Sequence, residues 1–156
     1  MVAGEWRQLA VSGLTRAMFG TGANWTSDWM SKGSYDPVHK QIRWFGNGHL
    51  EDRRWHQYDE TTNTWSNLPD PPWDTTPASP VFDHGYHGNA VDPATGDWYY
   101  NGFNSATVHR YVQSTGTWTT LTRPALLNTT LGVEWLPAIG SAGGLVVALG
   151  REVQIW

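Results

Sequence analysis

The densest group of side chains with chemical potential is Asp83-His84-Gly85-Tyr86-His87. Two imidazoles three residues apart, beside a carboxylate, could bind a divalent metal from a loop or a helical turn. On a strand, residues three apart project from opposite faces and cannot close on one ion. No His-Glu-x-x-His motif or second matching pair accompanies them, so no metal is assigned. The simpler reading is a solvated loop entering a strand, with one His turned toward a central channel. A second group, His49, Glu51, Asp52 and Arg54, lies within residues 48–54. These types suit acid/base work or the clamping of a polar ligand, and they equally suit a solvated hairpin. Trp73 sits in a Pro-rich stretch, residues 69–80, where it could stack on a sugar or peptide or plug its own loop. Loops held on a rigid scaffold are favoured places for binding.

Composition narrows the chemistry further. The chain has 156 residues, 39% hydrophobic and 15% charged, enough for one ordinary domain with a buried core. The absence of cysteine removes disulfides, thiolate metal sites and cysteine nucleophiles. A net charge of −4 with no basic stripe gives no support to a nucleic-acid partner. No apolar run approaches the ~20 residues that span a bilayer, so no membrane partner is expected. The start, MVAGEWRQLA, lacks the basic-then-apolar layout of a secretory leader. No nucleophile elbow, phosphate loop or dinucleotide fingerprint is present. No catalytic residue and no cofactor are therefore assigned, and the compartment stays open. Eleven tryptophans are the oddity, and their spacing is the key to the elements beneath.

His56-Gln57-Tyr58, continuing to Thr64-Trp65 and Leu68, aligns without gaps to His109-Arg110-Tyr111, Thr117-Trp118 and Leu121, an offset of 53. Asp36-Pro37 and Asp92-Pro93 lead to Gly46 and Gly102 at an offset of 56. Each unit reads as four strands: residues 29–35, 42–45, 55–59 and 64–68 in the first, then 86–91, 98–100, 107–112 and 117–121. Thr, Tyr, Trp and Val favour strands, and the Asp, Pro and Gly clusters supply turns. A third unit offers residues 132–136, 145–149 and 153–156, with no fourth strand following. Residues 3–9 (AGEWRQL) match residues 115–121 (TGTWTTL) and supply the missing one. The predicted organisation is a single repeat domain: a closing strand at 1–10, then blades at 21–70, 81–124 and 130–156.

A four-stranded unit of ~50 residues resembles the blades of the kelch and galactose-oxidase-like β-propellers. The resemblance rests on Tyr58-Asp59 with Asn63-Thr64-Trp65, and on Tyr111 with Gly116-Thr117-Trp118. It implies an all-β propeller with three blades per chain. Propellers have about 4–8 blades, so the expectation is a six-bladed ring formed as a homodimer, each N-terminal strand closing the partner's last blade. Trp6, Tyr58, Trp65, Tyr111, Trp118 and Trp156 fall at repeat positions and are expected to be packing between blades. The copper-radical chemistry of galactose-oxidase relatives needs a cysteine, which is absent. The expected function is a non-enzymatic binding or structural module whose loops, with Trp73, His49, Arg54, Asp83, His84 and His87 as ligand-binding candidates, face a protein or glycan. The alternatives are an enzyme or lectin site at the central channel, and a fragment of a longer six-bladed propeller.

Overall fold

The computed structural model describes residues 10–15, 18, 33–46, 54–68, 88–101, 107–122, 132–149 and 152–155. Among them are eleven strands, no α-helix, and three antiparallel sheets. Sheet 1 holds β1 (Ser34–Asp36), β2 (Gln41–Gly46), β3 (Arg54–Asp59) and β4 (Thr64–Asn67) in sequential order. Sheet 2 repeats the arrangement with β5 (Asn89–Val91), β6 (Trp98–Tyr100), β7 (Thr107–Val112) and β8 (Thr117–Thr122). Sheet 3 has three strands, β9 (Gly132–Leu136), β10 (Gly144–Leu149) and β11 (Glu152–Ile155). The predicted starts at residues 29 and 86 fall outside the described residues.

The turns repeat because their sequences repeat. Asp36 Oδ1 accepts the Val38 and His39 amides at 2.9 and 3.1 Å, and Asp92 Oδ1 accepts Ala94 N at 2.9 Å. Each turn then ends in a left-handed residue, Lys40 (φ 56°) or Gly96 (φ 76°). The second hairpin of each sheet ends likewise at Asn63 (φ 54°) and Gly116 (φ 66°). Gly and Asn tolerate this region best, which is why the turn sequences carry them. Asp59 fixes its turn by accepting the Thr61 hydroxyl and the Thr62 amide.

The sheets are covered by one another. Phe45 and Trp55 of sheet 1 pack with Val91, Trp98 and Tyr100 of sheet 2. Trp55 is the hub, with ring centroids 4.9 Å from Trp98, 4.5 Å from Trp118 and 5.0 Å from Tyr111. The opposite face of sheet 2, Ala90, Tyr99 and Val108, packs on Val133, Leu145 and Val147 of sheet 3. Alternation along the strands assigns these sets to opposite faces. Because sheet 2 is buried on both sides, its β6 reads as an unbroken apolar run, Trp98-Tyr99-Tyr100. First strands lie against first strands, β1 by β5 and β5 by β9.

Candidate functional site

Strand direction sorts the loops between two ends. The described hairpin turns of sheets 1 and 2, residues 37–40, 60–63, 93–97 and 113–116, lie at one end. Gly46 pairs with Arg54 at the other. Leu68, whose amide donates to Trp55 O at 2.8 Å, and Gly88, whose carbonyl accepts Asn101 N at 2.8 Å, anchor their connections at that same end. The sequence-predicted ligand residues belong to these connections. Arg54 is the first residue of β3; His49, Trp73, Asp83, His84 and His87 lie outside the described residues, as do Trp6 and Trp156. Among the described residues no group of three His, Asp or Glu side chains could hold a metal ion, and no helix is long and apolar enough to cross a membrane.

Between sheets 1 and 2, at the hairpin end, a polar cluster appears that sequence reasoning missed. Arg43 is 1% exposed. Its guanidinium donates to Gln41 Oε1 at 2.6 Å, Gln57 Oε1 at 3.0 Å, Gln113 Oε1 at 2.6 Å and Gly96 O at 3.4 Å. It lies 3.9 Å from the fully buried Asp36 carboxylate and 5.6 Å from the Tyr111 ring centroid. Burial pulls its pKa below the ordinary value, against the attraction of Asp36. Five donors in a rigid fork can satisfy all four acceptors, drawn from two sheets, whereas a lysine has only three donors. In sheet 2, Asp97 plays a related part, pairing with Arg110 and accepting Gln113 N at 2.8 Å.

Asp36 also accepts His39 Nδ1–H at 2.7 Å, and the imidazole is partly exposed. A carboxylate-oriented imidazole can move a proton. Among the described residues no hydroxyl is hydrogen-bonded to His39, and the same carboxylate holds the turn through the Val38 and His39 amides. The signal available in the sequence was Asp36-Pro37-Val38-His39, which repeats as the turn Asp92-Pro93-Ala94-Thr95. There Thr95 Oγ1 donates to Asp92 at 2.9 Å in place of the imidazole.

The repeat aromatics divide by sheet. Tyr111 and Trp118 pack across to Trp55. Tyr58 and Trp65, 5.4 Å apart, stay on sheet 1, where Trp65 stacks on Trp44 at 4.9 Å. The ladders make the faces comparable. Phe45 pairs with Trp55 in sheet 1, and Ala148 with Val153 in sheet 3. Tyr100 pairs with His109 and Val147 with Gln154. One repeat position is thus Trp55, Val108 and Val153 in the three sheets. Trp55 is 1% exposed and Val108 0%, each under the following sheet, whereas Val153 is 63% exposed. Ile155 (57%) and Leu136 (42%) are bare on the same face. Compared with family models and with curated proteins, the chain matches none.

Proposed function

We propose that the chain is a non-enzymatic, β-propeller-like binding module that works as half of a ring. Two copies associate through their end sheets, and residues 3–9 of each supply the fourth strand of the other's sheet 3. The connections at the end marked by Arg54 and Gly88 are presented to a protein or glycan. The observation that carries this reading is the repeat position just described, covered at Trp55 and Val108 and bare at Val153. Exposed valine and isoleucine side by side on a sheet face signal an interaction surface. A second support is β11, which among the described residues has no outer neighbour in its sheet, whereas β3 and β7 are covered by β4 and β8. An unpaired strand edge is a template for another strand.

Sedimentation equilibrium tests the association directly. A mass of two chains is expected, falling to one chain when residues 1–10 are deleted. A wild-type monomer, or a dimer indifferent to that deletion, removes the strand-exchange reading. Ligand presentation is tested separately by a glycan and peptide array with Trp73→Ala, which should lose binding at unchanged mass.

A further inference from the structure

Association of end sheets leaves open which faces meet. We infer that the outward face of sheet 3 seats on the outward face of sheet 1 of a second copy, head to tail, repeating the contact between sheets 1 and 2. This rests on the self-association reading and deepens it.

The receiving surface is a cross-strand row. Tyr35 pairs with Ile42, Ile42 with Tyr58, and Tyr58 with Trp65, so one side chain from each strand of sheet 1 stands in line. The same row in sheet 2 is Val91, Trp98, Tyr111 and Trp118. In sheet 2 this row is what sheet 1 covers: Val91 is 8% exposed, Trp98 is fully buried, and both touch the cluster around Trp55 and Phe45. In sheet 1 the matching row is open, with Tyr35 48% exposed and Ile42 only half-buried.

The entering surface is built by the same rule. Trp55 and Phe45 are the sheet 1 side chains that press on the row of sheet 2. Their counterparts in sheet 3 are Val153 and Ala148, both exposed, beside Ile155 and the half-buried Val146. The two bare faces are thus a donor face without a row and a row without a donor face. The sheet 3 face is mainly aliphatic, with Glu134 beside Val146, and the sheet 1 row is mainly aromatic, so smaller side chains meet larger ones. A second copy of this chain carries the complement of each face, and two such head-to-tail contacts close a ring.

The test is a complementation pair, Val153→Arg and Tyr35→Arg. Both side chains are exposed within one chain, so each variant should keep the wild-type circular dichroism. Head-to-tail docking predicts that each variant alone sediments as one chain. Their equimolar mixture should regain the two-chain mass, because the mixed pair contains one contact with neither substitution. Three results overturn the inference: dissociation by Val153→Arg alone, which indicates two sheet 3 faces meeting; dimers that survive both substitutions; and a mixture that stays monomeric. Each of these leaves self-association standing. A monomeric wild-type chain removes the underlying reading as well.

Discussion

Acid should destabilise this protein through His109, and the size of the effect follows from its position. His109 lies on β7, 7% exposed, with its ring nitrogens 3.2 and 3.3 Å from the hydroxyls of Thr107 and Thr120. Burial pushes its pKa down to about 4 from the ordinary 6.5. A charged imidazole loses hydration there, so the folded chain holds it neutral. The unfolded chain takes up a proton near pH 6.5, and the folded chain does so only near pH 4. Stability is therefore undiminished above pH 6.5 and falls as the pH drops from there toward 4, after which this group contributes no further loss. A gap of about 2.5 pH units at about 1.4 kcal/mol each is worth about 3 kcal/mol. That is a large part of the stability of an ordinary domain.

His109→Gln isolates the effect, since an amide can bond both hydroxyls and does not titrate. Urea unfolding at pH 7.5, 6, 5 and 4, followed by tryptophan fluorescence, should show the wild type losing about 3 kcal/mol more than the variant across that range. The carboxylate at Asp59 acts elsewhere on the scale. The Thr61 hydroxyl, Gln41 and the Thr62 amide hold its pKa well below the ordinary value. It stabilises above the unfolded carboxylate value, near 4, and that gain is lost only as the pH falls below it. Parallel wild-type and variant curves between pH 6.5 and 4 would refute the burial of a neutral imidazole.

Substitutions at four further positions test the packing and the turns. Trp55→Ala empties the hub between sheets 1 and 2 and should cost about 3–5 kcal/mol in urea unfolding; a loss below about 1 kcal/mol contradicts the contact set. Arg43→Ala strands three amide oxygens and the Gly96 carbonyl and should cost about 3 kcal/mol, with Arg43→Lys recovering less than half; full recovery by lysine would mean that charge alone matters. Gly96→Ala faces both a positive φ and a Cβ 2.5 Å from Asp36 Oδ2, so it should destabilise by at least about 1 kcal/mol. Lys40→Gly, at the matching turn position, should stabilise by up to about 1 kcal/mol; the opposite signs in thermal melts would sink the shared-turn reading.

What could be read from the sequence was local. The strands at 98–100, 107–112 and 132–136 follow from β-branched and aromatic runs between turn clusters, and the left-handed ends follow from Gly96, Asn63 and Gly116. Arg43 was invisible. Within Gln41-Ile42-Arg43-Trp44-Phe45 the alternation would send Arg43 and Gln41 to solvent with Ile42 and Trp44 inside. The structure reverses this, because the inward face of sheet 1 is where a second sheet arrives with its own polar acceptors. Period-two patterning separates two faces but does not say what covers either. The ligand candidates were harder still. Their residue types suit binding and solvated loops alike, and spacing along a connection carries no register to decide between them.

The faces have diverged where the turns have not, and this is what makes a defined order of sheets possible. One repeat position holds Arg43 in sheet 1, Tyr99 in sheet 2 and Val146 in sheet 3, as their partners Gln57, Arg110 and Ile155 show. Arg43 needs the acceptors that Gly96 and Gln113 offer. Tyr99 needs the flat face of Trp135, on which it stacks at 5.4 Å. Val146 needs only an apolar neighbour. Exchanging two sheets would leave a buried guanidinium against aliphatic side chains, a penalty of several kcal/mol. Each sheet therefore accepts one neighbour and rejects the others. In the association we propose, sheet 2 already covers the arginine-bearing side of sheet 1, which leaves sheet 3 of a second copy the aromatic row that carries Tyr35, Ile42, Tyr58 and Trp65.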